Sequence, residues 1–244
     1  MLISVILLFS CAGKRQNVTV GSKLAGKTLQ VQINPGLHWK HAMPIMGFIK
    51  LQNRPQMAIW LEDENGKFIQ NIYVTRKSAT QGWLRGPGDP TPKDQIHRYE
   101  SLPYWMYKQN MEFAPGVLMP TATNPLPKHI TSATPKGAFQ ANTTMPDKEK
   151  FYVVLEINQS TDFNDYYSKE KSKGSDGYSG GTWGSGQPSV IYRAQIDCSQ
   201  PKPSAYQMKL VGHGSANGSD GNLNADLSRL TTAISIISSA EVSF

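Results

Sequence analysis

Cysteine is scarce in this chain: among 244 residues there are only Cys11 and Cys198, so no disulfide framework can carry the fold. An apolar core must do so, and a chain of this length can bury roughly two-thirds or more of its unfolded surface. Charged residues make up 18% and aromatics 9%, which suits a folded protein rather than a disordered one. No apolar run reaches the ~20 residues a membrane-spanning helix needs. The net charge is +7, yet no Lys/Arg stripe carries interleaved aromatics, so nucleic acid is excluded as a partner. The Gly-x-Ser-x-Gly elbow and the His-Glu-x-x-His run are both missing, and nothing else argues for an enzyme.

What the chain does have begins at its first residues. Residues 2–9 form an apolar run broken only by Ser4, spanning as a helix roughly 12 Å of a ~30 Å bilayer core. Such a run reads as a secretory signal over residues 1–10. Leu8-Phe9-Ser10-Cys11 resembles a bacterial lipobox, which makes Cys11 the lipid-attachment residue and residues 11–26 a tether. The expectation is a membrane-anchored lipoprotein of the periplasm or cell surface. Cys198 would then be an unpaired thiol, small and buried or at a strand end.

The 21 glycines and 16 prolines point to many turns and short strands over residues 27–244. Residues 28–33, 56–62, 67–75, 137–142, 151–158 and 189–197 read as strands, and 45–52 and 205–211 as further strand-like runs. Asp63-Glu64-Asn65-Gly66 predicts a hairpin turn, because Asn-Gly readily takes positive φ. Residues 94–110 predict a helix interrupted at Pro103, and 227–237 a short amphipathic helix after Asp226. Residues 168–187, rich in Gly, Ser and Lys, predict a mobile surface loop. The expected fold is a single antiparallel β-sandwich, immunoglobulin-like, with one or two short helices.

Several motifs are weighed against plainer readings. Gly21 to Thr28 matches the phosphate-binding P-loop pattern, but the residues after Thr28 alternate as a strand and no helix follows. His38 and His41 are too few for a zinc site. Asp220, Asn222, Asn224 and Asp226 have calcium-loop spacing, but Thr231 stands where the bidentate acid belongs, so a polar turn is the expectation. Asp162 and Asp165, beside Phe163, Tyr166 and Tyr167, could in principle form an acid/base pair, but solvated surface carboxylates are the default expectation. Tyr104-Trp105-Met106-Tyr107 and Trp39 could stack on sugars. Trp39, Trp105 and His213 are the candidate ligand-contacting residues of a glycan-binding module. Trp60, alternating within a hairpin, is expected in the core.

A wider resemblance rests on Ala58-Ile59-Trp60-Leu61-Glu62-Asp63-Glu64-Asn65-Gly66, Ser132-Ala133-Thr134-Pro135-Lys136-Gly137 and Glu156-Ile157-Asn158-Gln159-Ser160-Thr161-Asp162. Gly186-Gln187-Pro188, Gly212-His213-Gly214, Asp220-Gly221 and Leu230-Thr231-Thr232-Ala233 add to it. Over residues 28–242 the chain resembles a bacterial family of predicted periplasmic proteins, a domain of unknown function. The resemblance implies an accessory role near periplasmic flavin and iron redox systems. In this context Lys128-His129-Ile130-Thr131-Ser132-Ala133-Thr134 is similar to the motif at which extracytoplasmic flavoproteins accept FMN through a phosphodiester. Lys128 stands where that motif has an acid, and Ser132 where it has glycine. The resemblance makes Thr134 the candidate flavin-attachment residue and FMN the candidate cofactor. Three functions follow: an envelope-tethered, non-enzymatic accessory or binding protein with an envelope or redox partner, a covalent FMN carrier, or a glycan-binding module.

Overall fold

The computed structural model describes residues 16–19, 26–46, 49–85, 90–92 and 95–244. The signal segment, Cys11 and most of the tether lie outside these residues, as do residues 21–25 of the P-loop match.

Strand alternation builds two large sheets. The five-stranded sheet has the order β1 (Gln16–Thr19), β8 (Phe139–Thr144), β2 (Thr28–Pro35), β13 (Ile237–Ser243) and β11 (Tyr206–Gln207). The six-stranded sheet has the order β12 (Lys209–His213), β10 (Val190–Asp197), β9 (Lys150–Asn158), β5 (Gln56–Asp63), β6 (Phe68–Thr75) and β7 (Thr131–Ser132). A separate hairpin joins β3 (His41–Met46) to β4 (Ile49–Asn53). Two helices are present among the described residues, α1 (Arg76–Thr80) and α2 (Pro103–Gln109).

The single antiparallel immunoglobulin-like sandwich expected from the sequence is therefore wrong. The protein has a mixed α/β fold with three separate sheets and two helices among the described residues. Parallel pairs occur at β1–β8 and β6–β7. Alternation reports which face of a strand is covered. It does not report strand direction or what does the covering.

Two apolar clusters divide the six-stranded sheet between its faces. On one face, Met57, Ile59 and Leu61 of β5 and Val153, Leu155 and Ile157 of β9 share a cluster with Val31, Ile33, Phe139 and Val242 of the five-stranded sheet. The Tyr73 and Phe139 rings meet across it with centroids 5.3 Å apart. On the opposite face, Ala58, Trp60, Val154 and Ile191 pack with Tyr104, Trp105 and Met106 of α2. β5 is thus buried on both faces, which explains why its residues 57–61 are apolar without interruption. Trp60 lies in this second core, as expected of it.

Local expectations fared unevenly. The β5–β6 hairpin forms where Asn65-Gly66 placed it, with Gly66 at φ 77° donating its N–H to the Asp63 carbonyl at 3.0 Å. Pro103 does not interrupt a helix. It begins one, because the first helical position needs no N–H. The predicted helix over 227–237 is absent: a 3-10 turn at Ala233–Ser235 leads into β13, in line with the β-branched content there. Residues 168–187 carry buried side chains at Ser179, Ser185 and Gln187, so this segment packs onto the domain. Cys198 lies just beyond β10 and is exposed.

The turn after β2 gives one sharp test. A Cβ on Gly36 would fall 2.2 Å from the Ser235 carbonyl oxygen, inside any tolerable contact. Gly36→Ala is expected to cost about 1–3 kcal/mol through overpacking. Its thermal midpoint should fall by several degrees, whereas an unchanged midpoint would place that turn elsewhere.

Candidate functional site

The parallel β6–β7 pair builds a cleft at its end. Val74 lies opposite Thr131 and Thr75 opposite Ser132, so the next residues, Arg76 and Lys77, run beside Ala133 and Thr134. At that point β6 becomes α1, which closes with Gln81 in the left-handed region at φ 50°. The Tyr73 hydroxyl donates to the Ala133 carbonyl at 3.1 Å, and Leu126 N–H donates to the Ala79 carbonyl at 3.0 Å, which holds the two walls in place. The cleft encloses about 270 Å³ and is lined by Arg76, Lys77, Thr80, Gly82, Ala133 and Thr134.

Its chemistry is one-sided. Arg76 and Lys77 supply two cations, and no carboxylate lines the walls among the described residues. Among the described residues neither cation has an ion-pair partner, and the Thr134 hydroxyl has no hydrogen-bond partner. Partial burial holds the Lys77 amine below its ordinary pKa, because desolvation penalises the charged form. Thr80 Oγ1 donates to the Arg76 carbonyl at 2.8 Å, fixing the single turn between them. Sequence reasoning found Thr134 but not Arg76 or Lys77, since their place in the cleft depends on a parallel strand pair.

A second polar group lies under α2. Glu156 is fully buried and accepts the N–H groups of Tyr104 at 3.1 Å and Trp105 at 2.6 Å, along with the Ser189 hydroxyl. It caps the first turn of α2, which has no capping side chain of its own. Burial pushes its pKa up to about 7, against the hydrogen bonds that favour the ionised form. Glu100 is likewise pushed up to about 7 by burial. Glu62, also fully buried, accepts Trp60 Nε1 at 3.0 Å and pairs with Arg193 at 3.2 Å and Lys108 at 3.7 Å. Arg193 donates in turn to the Tyr104 hydroxyl at 2.8 Å. These contacts tie α2 to the sheet and explain why charged residues face an apolar layer.

A third group involves the histidines and Asp162. Asp162 is buried and accepts from Thr232 Oγ1 at 2.6 Å and Gln187 Nε2 at 3.0 Å. Burial raises its pKa, opposed by the Thr232 hydrogen bond and then by the charges of His41 and His38. His38 Nδ1 lies 2.7 Å from Ser235 Oγ. These bonds fasten the 3-10 turn before β13. Asp165 is exposed while Asp162 is buried, so the two carboxylates occupy different environments.

The other candidate residues are scattered. Trp39 belongs to the core between the two large sheets, with 3% of its surface exposed, and Trp105 to the core beneath α2, with 2%. His213 is buried at the end of β12, where its Nδ1 lies 2.7 Å from the Gly214 carbonyl. None of the three lines the Thr134 cleft. Asp220, Asn224 and Asp226 each accept a backbone N–H two residues on, forming a run of polar turns. No cluster of three or more metal-ligating side chains occurs among the described residues. Nor is any helix among them long and apolar enough to cross a membrane. No family model, no curated protein and no solved structure matches the chain.

Proposed function

We propose that this is a non-enzymatic, envelope-tethered lipoprotein that acts as an accessory or binding protein, with the cleft between α1 and Thr134 as its ligand site. The observation that supports the binding reading is the set of three residues, Arg76, Lys77 and Thr134, that line one concavity without an ion-pair or side-chain hydrogen-bond partner among the described residues. Unpaired cations beside a free hydroxyl add little to a fold's stability, and they suit a ligand that supplies the missing acceptors. The anchor is tested separately. Metabolic labelling with palmitate should mark the wild-type chain and not Cys11→Ser, and label that survives the substitution would remove the anchor.

A second reading, a covalent FMN carrier serving a redox partner, is favoured by the position of Thr134. A phosphodiester on its hydroxyl would lie beside two cations able to neutralise it. Coexpression with a flavin transferase should then give a yellow protein heavier by one FMN, with both properties lost in Thr134→Ala. An unmodified mass would end this reading and leave the non-covalent one standing. The glycan reading gains no comparable support, since the Trp39 and Trp105 rings are packed within the domain.

A further inference from the structure

We infer that the cleft between α1 and Thr134 recognises the phosphate group of a small ligand, with Arg76 and Lys77 as its counter-charges and the Thr134 hydroxyl as a third donor. This inference rests on the binding reading and narrows it to one ligand chemistry. Three features carry it. Arg76 and Lys77 line the same 270 Å³ space, and no acid among the lining residues competes for their charges. A guanidinium offers two parallel N–H donors that match two phosphate oxygens, while an ammonium acts as a compact point charge. Thr134, on the segment that follows β7, lines the same cleft as Arg76 and Lys77 at the end of β6, so the parallel strand pair brings a hydroxyl residue beside the two cationic ones.

Size and field agree with this chemistry. Sites for drug-sized molecules run from about 300 to 1,000 Å³, so this cleft suits a phosphate with one small attached group. The chain's net charge of +7 raises the local concentration of anions around it. An anion would also offset the partial desolvation of Lys77, which has no counter-ion among the described residues. The phosphate could come from a soluble ester or from a phospholipid headgroup, and these share the same contacts.

The test uses the full chain carrying Cys11→Ser, so that an acylated thiol does not itself bring the protein to a membrane. Calorimetric titration with ribose 5-phosphate should saturate, weaken as salt rises, and fall at least tenfold in affinity when Arg76→Ser and Lys77→Ser are combined. Thr134→Ala should weaken it several-fold. Circular dichroism and melting should be unchanged in these variants, because Arg76 is exposed and Lys77 and Thr134 are half-buried. No saturable binding, or binding that ignores the loss of both cations, would overturn the inference. Unphosphorylated ribose binding as tightly as its phosphate, through the same three residues, would overturn the phosphate inference and leave the cleft as a ligand site. In a second arm, sedimentation with phosphatidic acid vesicles, not with phosphatidylcholine alone, and dependent on Arg76 and Lys77, supports the lipid source. Saturable binding of ribose 5-phosphate without such sedimentation supports the soluble ester.

Discussion

Glu156→Ala should be among the most damaging single substitutions in the molecule, costing about 3–5 kcal/mol of stability through three orphaned buried donors and the space left behind. The Glu156 carboxylate holds two amides of the first turn of α2 and the Ser189 hydroxyl, all in the buried layer beneath that helix. Removing it leaves donors without acceptors and opens space under Trp105. For a domain of this size each kcal/mol moves the melting temperature by about 2–4 °C, so a fall of roughly 10 °C is expected by calorimetry. The same residue should give the protein an acid-leaning stability profile. The carboxyls of Glu156 and Glu100 titrate near 7 in the folded state, against an ordinary value of 4.5. In the unfolded chain these protons leave near the ordinary value, so between pH 4.5 and 7 the folded state binds more protons. Stability must then fall as pH rises through that window and level off above it, with a limit of about 1.4 kcal/mol per pH unit for each group. Denaturant midpoints should therefore be higher at pH 5 than at pH 7.5. Glu156→Gln should reduce that slope, and a slope unchanged by the substitution would show that Glu156 titrates as an ordinary carboxylate.

Glu62→Ala is expected to be comparably severe, at about 3–5 kcal/mol, for a different reason. Glu62 is the shared acceptor of Trp60 Nε1, Arg193 and Lys108, so its removal strands a partly buried guanidinium against the apolar layer under α2. Replacing both partners, as in Glu62→Leu with Arg193→Met, should recover the part of the loss that comes from the stranded guanidinium, while the buried Trp60 N–H stays without its acceptor. A double-mutant cycle read from urea denaturation checks this. Additive losses would mean that Glu62 and Arg193 do not depend on each other.

These two glutamates show where the sequence was legible and where it was not. The strands over 56–62, 67–75 and 151–158 could be read because short runs rich in apolar and β-branched residues, and the Asn65-Gly66 turn between the first two, are local signals. The architecture could not, since a charged residue at an outward strand position looks the same whether water or a helix covers it. Glu62, Glu156 and Arg193 occupy such positions, and α2 covers all three. The continuous apolar run in β5 was the local clue that both faces of that strand are buried. The parallel pairs β1–β8 and β6–β7 join residues distant in sequence, and nothing local encodes their direction. The candidate site follows the same division: Thr134 stood in a recognisable motif, whereas Arg76 and Lys77 reach it only through β6–β7. The C-terminal segment over 227–237 was misread because leucines and isoleucines at three- and four-residue steps also suit a turn leading into a strand.

Hydrogen–deuterium exchange of the full chain, with and without saturating ribose 5-phosphate, tests the assignment of the ligand site most directly. Slowed exchange confined to residues 76–82 and 131–136 is the expected result, with β5 and β9 unchanged. Protection elsewhere, for instance around His38 and Asp162, or none in either segment, would contradict it.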